Sequence, residues 1–279
     1  MGAGLSVPAG ALRVAVLGAL GRMGRQVCQA VAADATLELV AAVDPLAPVG
    51  PVAPVGLSGP PVQPEREAAA EAGAEAVVDF TVPSAALGNA LWCAARGLHC
   101  VVGTTGLDSQ DLGRLRDAFA AGPANCLVAP NFAIGAVLMM RFAELAAPWF
   151  EGVEVVELHH AGKLDAPSGT ARLTAERVAA AREDAGQVAG PGRAARTPAE
   201  GAFPVARGEE VAPGVRVHSV RLPGLVAHQE VIFGTAGEVL TLRHDSLDRA
   251  SFMPGALLAV KRVGELRGLT VGLDSLLGL

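Results

Sequence analysis

The feature that most restricts the fold is a glycine series, Gly18-Ala-Leu-Gly21-Arg-Met-Gly24, placed where an apolar, β-branched run over 13–17 gives way to a helical pattern over Arg22–Ala33. A strand buried on both faces reads as a short continuous apolar run, and glycine permits the tight turn that returns the chain over it as a helix. The alternation then repeats. Strands are expected at Leu37–Val43, 76–80, His99–Val102 and 126–129, with helices at 65–72, 84–96 and Ser109–Ala120. Alternation at these lengths calls for right-handed crossovers, so the fold class is α/β with a Rossmann-type, doubly wound parallel sheet. Residues 45–64 interrupt the pattern: they are crowded with Pro and Gly, span about twice an ordinary connection, and read as a mobile surface loop.

Past residue 130 the texture changes. A helix at 135–146, a strand at 153–159 and a helix at 169–182 precede a Gly-, Pro- and Ala-rich loop over 186–213. Runs at 215–222, 229–233 and 238–243, joined by short turns, describe a second sheet that is antiparallel or mixed. The last helix, at 251–263, has no sheet of its own beside it in the sequence. A chain of 279 residues that is 51% apolar can bury two cores, and with 4% aromatics and no Tyr those cores must be built from Ala, Val and Leu.

Charge and cysteine usage exclude several classes. A net charge of -6 leaves no broad electrostatic footprint for nucleic acid or an anionic membrane, so any bound anion must meet a local positive site. Cys28, Cys93, Cys100 and Cys126 show neither C-x-x-C nor metal-ligand spacing, so no metal site is expected and a reducing cytoplasm fits. Arg141 and Lys261 cut the longest apolar runs well short of the roughly 20 residues of a membrane span, and the chain reads as soluble. Residues 1–12 lack a basic start and a long hydrophobic centre, and are read as a disordered leader rather than a signal peptide.

In its strand-to-helix context the glycine series describes a dinucleotide site. Gly18, Gly21 and Gly24 let the backbone approach a pyrophosphate, and the helix opening at Arg22 and Met23 offers unpaired amides and the positive end of its dipole. Asp44, about twenty residues past Gly24, closes the second strand where a carboxylate accepts from an adenosine ribose. Pro45 follows it and no arginine adjoins it to clamp a 2′-phosphate, so NADH is expected to be preferred to NADPH, although Arg22 is within reach of a phosphate. Gly103, Thr104 and Thr105 follow a later strand, and Ala129, Pro130, Asn131 and Phe132 another; ligands of open parallel sheets bind beyond such carboxyl ends.

The second half carries a different cluster, Glu157-Leu-His159-His160-Ala-Gly-Lys163-Leu-Asp165-Ala-Pro-Ser168-Gly169-Thr170. Adjacent histidines leaving a strand point to opposite faces. Lys163 supplies a fixed cation, and Ser168, Gly169 and Thr170 open a helix whose first amides suit a carboxylate. Together they describe a receptor for a small polyanion.

These segments, with 14–24, 78–83, 103–106, 221–230 and 240–246, resemble the dihydrodipicolinate reductase family over nearly the whole chain. The resemblance implies a Rossmann domain over 13–130 plus 244–279, completed by the C-terminal helix, and a substrate-binding and oligomerisation domain over 131–243 that builds a homotetramer. It implies reduction of 4-hydroxy-2,3,4,5-tetrahydrodipicolinate to tetrahydrodipicolinate by NADH or NADPH, with loss of water, in lysine and diaminopimelate biosynthesis. It also implies roles: His159 as proton donor or acceptor, Lys163 as proton donor, and His160, Gly169 and Thr170 as substrate ligands. Where many members carry a further histidine, this chain has Gly162. Two other readings stay open from the residues alone: a semialdehyde or homoserine dehydrogenase, the former using Cys126 as its nucleophile, or a non-catalytic nucleotide sensor.

Overall fold

The computed structural model describes residues 10–47, 59–187 and 207–279. Most of the expected leader and of the expected loops over 45–64 and 186–213 lies outside the described residues. The chain divides into two compact units, Met1–Phe132 with Phe252–Leu279, and Ala133–Ser251. Relative to the expected boundaries, residues 131 and 132 join the first unit, and 244–251 join the second. The reason is pairing: the last strand of the second sheet runs on to Ser246, each residue matched to a neighbouring strand as far as Ala227.

The first unit holds strands β1 (Leu12–Leu17), β2 (Leu37–Val43), β3 (Val62–Gln63), β4 (Ala76–Asp79), β5 (His99–Val102), β6 (Cys126–Val128) and β12 (Leu269–Val271). They form one parallel sheet in the order β12-β6-β5-β4-β1-β2-β3. The order reverses between β1 and β4, the place where such sheets open a crevice beyond their carboxyl ends. Helices α2 (Glu67–Glu71), α3 (Pro83–Arg96) and α4 (Ser109–Ala120) share one core with the sheet, containing Ala86, Ala90, Cys93, Leu115 and Phe119. Helix α1 (Arg22–Ala33) packs against β1, β2 and α7 (Met253–Arg262), and α7 also meets β4 and β5. The helix that lacked a sheet in the sequence thus covers the first one.

Three departures from the sequence reading have plain causes. Leu12 already belongs to β1, because its amide donates to Thr36 O at 3.0 Å, so the leader does not reach residue 12. Strand β3 lies inside the expected loop and β12 lies beyond the last expected helix; at two and three residues they are too short to show a period. Helix α8 (Asp274–Leu277), a single turn, follows β12.

The second unit is built on a five-stranded mixed sheet of β7 (Gly152–His159), β8 (Glu209–Ala212), β9 (Val215–Arg221), β10 (Ala227–Thr235) and β11 (Glu238–Ser246), in the order β11-β10-β7-β9-β8. Only β7 and β9 run parallel. Strand β8 falls within the expected 186–213 loop; its Glu-Glu-Val-Ala sequence, at an edge, carries no alternation to read. Helices α5 (Ile134–Ala146) and α6 (Gly169–Asp184) pack on one face, around Val155, Val178, Val231 and Phe233. Alternation places Glu154, Val156 and Leu158 of β7 and Ile232 of β10 on the opposite face.

Candidate active site

In the first unit the glycines are required by space. Gly18 has φ +78°, and a Cβ there would lie 2.6 Å from Phe80 O. A Cβ on Gly24 would lie 1.9 Å from Gly18 O, so helix α1 can approach the turn this closely only without a side chain. Gly21 caps α1 without any side-chain bond, and the first helical donor to reach back is Arg25 N, to Gly21 O at 3.0 Å. The amides of Arg22, Met23 and Gly24 therefore lie ahead of the helical ladder, at the end where the dipole is positive.

Asp44 is buried at the end of β2. Its Oδ2 accepts from Leu20 N at 3.0 Å and its Oδ1 from Leu46 N at 2.9 Å, so the carboxylate pins the glycine turn while each oxygen keeps lone-pair capacity. A cavity of about 670 Å³ opens here, lined by Gly18, Gly21, Asp44, Arg66, Phe80 and Asn89 among others. The presence of Arg66 corrects the premise behind the NADH expectation. No arginine adjoins Asp44 in the chain, but β3 pairs with the end of β2, Asp44 N donates to Gln63 O at 2.9 Å, and the segment leaving β3 brings Arg66 to the same cavity. Its Nη1 donates to Asn89 Oδ1 at 3.1 Å and to Gly88 O at 3.2 Å, which fixes the guanidinium there.

A second buried carboxylate, Asp79, ends β4 and organises the neighbouring loops. It accepts from Thr81 N (2.8 Å), Thr81 Oγ1 (2.6 Å), Asn89 Nδ2 (2.8 Å) and Thr104 Oγ1 (3.0 Å). Thr104 is thus a buried strut, whereas Thr105 is exposed. The ring of Phe80 fills the space beside Gly103, where a Cβ would sit 2.2 Å from it, and packs against Phe132 with centroids 5.5 Å apart. Ala129 is buried and donates to Val102 O at 3.0 Å; Pro130 is exposed and Asn131 half-buried. All the sequence-predicted cofactor residues stand at this carboxyl end of the sheet. Gly18, Gly21 and Asp44 line the cavity; Arg22, Met23, Gly24, 103–105 and 129–132 do not. Sequence reasoning missed Arg66, Phe80 and Asn89. Phe80 stood inside a segment already singled out, 78–83; Arg66 carried no signal.

In the second unit β7 delivers the catalytic candidates. Glu157 is fully buried near its end, and its Oε2 is hydrogen-bonded to Nδ1 of His159. That leaves Nε2 of the half-buried ring for chemistry. Arg221 of β9 donates to Glu157 through Nη1 (to Oε2, 2.9 Å) and Nη2 (to Oε1, 2.8 Å), and Ser168 N donates to Oε1 at 3.2 Å. Burial works to raise the Glu157 carboxyl, but hydrogen bonds from His159, Arg221 and Ser219 outweigh it and hold the pKa at about 2.

The strand then turns, with Lys163 N donating to His160 O at 3.1 Å. Lys163 Nζ meets Asp165 Oδ1 at 2.8 Å; burial tends to raise Asp165, but the lysine's hydrogen bond and charge bring it below the usual carboxylate range. Ser168 caps α6 by accepting from Ala171 N at 3.2 Å, so Gly169 and Thr170 open the helix. His160 is half-buried, and a Cβ built on Gly162 would touch its Nδ1 at an ordinary 3.5 Å. Residues 157–170 therefore gather an imidazole, an ammonium and a helix N-terminus in one loop. Among the described residues no cluster suits a metal ion. Cys126, the alternative nucleophile, is fully buried in β6, and its thiol pairs with that of Cys100.

Comparison with known proteins identifies the family. Residues 12–132 match the family described as "Dihydrodipicolinate reductase, N-terminus" and residues 135–277 the one described as "Dihydrodipicolinate reductase, C-terminus". The chain is 54% identical to the 4-hydroxy-tetrahydrodipicolinate reductase of Nocardia farcinica, over 96% of this chain and 99% of that protein. It is 52% identical to the same enzyme of Cutibacterium acnes, again over 96% and 99%. A solved structure, the dipicolinate-bound dihydrodipicolinate reductase from Paenisporosarcina sp. TG-14, is 38% identical with a TM-score of 0.80, covering 95% of this chain and 99% of that one. An aspartate semialdehyde dehydrogenase from Vibrio cholerae, 11% identical with a TM-score of 0.52 over 91% of this chain and 98% of its own, shares the fold alone. This chain, matched along both halves, belongs to the dihydrodipicolinate reductase family and is an oxidoreductase.

Proposed function

We propose that the chain reduces 4-hydroxy-2,3,4,5-tetrahydrodipicolinate to tetrahydrodipicolinate, with loss of water, in lysine and diaminopimelate biosynthesis. The observation that carries the reading is the loop 157–170, where a tethered imidazole, a lysine and a helix N-terminus converge in a chain whose other unit has the glycine turn of a dinucleotide site. A pyridine nucleotide bound at that turn supplies the hydride. The bare amides before Arg25 and the carboxylate of Asp44 fit its pyrophosphate and ribose.

Hydride arriving at a conjugated imine pushes charge onto the ring nitrogen, and a positioned acid must meet it. His159 and Lys163 take that role, and His160, Ser168, Gly169 and Thr170 hold the ring carboxylates. The dipicolinate of the Paenisporosarcina structure is a planar relative of this substrate and supports a dicarboxylate as ligand. NADH is the favoured cofactor and NADPH is accepted, because Asp44, Glu65 and Glu67 line the cavity along with Arg66.

The second unit assembles a homotetramer through the open face of its sheet. Val156, Leu158 and Ile232 lie half-buried there, with Val220 and Val239 37% and 69% exposed on the same face. A sedimentation mass of four chains is the expected result, and a monomer mass rejects it. For the reaction, the protein is supplied by an upstream synthase acting on pyruvate and aspartate semialdehyde, and NADH loss is followed. Lys163→Ala is expected to lose turnover, by about a hundredfold or more, while keeping cofactor affinity. Equal rates for the variant and wild type would remove Lys163 from the mechanism.

A further inference from the structure

Glu157 is the most buried charged side chain near the proposed chemistry, and the proton-transfer reading gives it no task. It is fully enclosed, yet four donor groups on three segments reach it: His159 from its own strand, Arg221 and Ser219 from β9, and Ser168 from the cap of α6. Arg221 extends the set, since its Nη2 also donates to Asp165 O at 2.6 Å. One carboxylate therefore touches the imidazole on one side and the anion-binding helix start on the other. Through Arg221 it also holds the loop that carries Lys163. A buried ion pair kept for stability alone has no need of the histidine, and hydrophobic replacement of such pairs is often neutral or better. A carboxylate on Nδ1, by contrast, fixes the ring's tautomer and rotation and stabilises the imidazolium that forms in proton transfer.

We propose that Glu157 is a positioning residue for the reduction: it orients His159 with Nε2 towards the substrate and, with Arg221, locks the 160–168 turn and the α6 N-terminus in register with that nitrogen. The inference rests on the reading of His159 as the proton-transfer group. Neighbouring groups that bear on its pH dependence are Arg221 and Ser219 of β9, Gln229 opposite it on β10, Ser168 at α6, and Lys163 and Asp165 of the turn.

The test is Glu157→Gln, which keeps the shape and an acceptor oxygen but removes the charge. We expect kcat to fall about a hundredfold, with the substrate KM changed less than about threefold. The limb of the pH–rate profile that reports the protonated donor should move to lower pH, because the imidazolium loses its counter-ion. Glu157→Asp retains the charge beside Arg221 but draws it back from the ring, so kcat should drop while the limb stays in place. Should Glu157→Gln not fold, the aspartate variant decides alone, through a fall in kcat with substrate KM changed less than about threefold. A Glu157→Gln enzyme with wild-type kcat and an unmoved profile, or an aspartate variant indistinguishable from wild type, overturns the proposal. A His159→Gln control that keeps full turnover would topple the proton-transfer reading first and this inference with it.

Discussion

The candidate sites of the two units are built by different means. In the first unit the candidate site is made largely of backbone: a left-handed glycine, helix amides placed ahead of their ladder, and two buried aspartates that brace the turns by accepting from main-chain, hydroxyl and amide groups. In the second unit the site is made of side-chain charge, a carboxylate, guanidinium, imidazole and ammonium linked in one network. Backbone is indifferent to which dinucleotide chemistry follows, so the first construction suits a cofactor shared by many enzymes. The second suits one substrate, because an ionised network disposed around a single ring loses much of its worth if any member is displaced.

If this contrast is right, the nucleotide unit should be broken by volume and the other unit by charge. Within the first unit the largest effect is expected at Gly24. An alanine there would put its Cβ 1.9 Å from the Gly18 carbonyl oxygen, backbone against backbone, with no flexible group to yield. Overpacking of this kind costs about 3 kcal/mol, and the forced shift moves the amides proposed to meet the pyrophosphate. Gly24→Ala should therefore lower the thermal midpoint and raise the NADH dissociation constant more than about tenfold, as measured by calorimetric melting and fluorescence titration. An alanine variant with wild-type melting and affinity would mean that α1 does not owe its position to that glycine.

The same contrast explains what was legible in the sequence. Glycine spacing, apolar runs and an aspartate at the end of a strand are local, and the β1–α1–β2 unit could be read almost residue for residue from 12–44. Thr104 was expected among the cofactor residues; its hydroxyl faces Asp79 rather than the cavity, a detail fixed by a partner 25 residues away. The Glu157–Arg221 pair spans 64 residues, and nothing around Arg221 marks it as the counter-ion of a residue on another strand. Short elements were lost for another reason. β3 and β12 have too few residues for any period, and their strands exist because β2 and β6 offer edges to pair with. Missing β3 had a consequence, since it is the element that carries Arg66 to Asp44.

Arg66 sharpens the comparison from the other side, being, among the described residues, the one basic side chain lining the cavity beside Asp44. Its guanidinium is held by Asn89 and Gly88, lies 5.5 Å from the Trp92 ring centroid, and remains 39% exposed. Against it stand Asp44, Glu65 and Glu67, so a 2′-phosphate entering the cavity gains one cation among several carboxylates. Removing that cation should leave NADH nearly untouched, since a neutral ribose answers to Asp44, and should penalise NADPH by one charge-assisted contact, about 1.5 kcal/mol. Arg66→Ala is therefore expected to lower kcat/KM for NADPH about tenfold and for NADH less than about twofold. Because Trp92 and Glu67 also contact Arg66, the ratio of the two efficiencies is the decisive number. Equal losses would make Arg66 a structural support of the α2–α3 corner and leave cofactor choice to Asp44 alone.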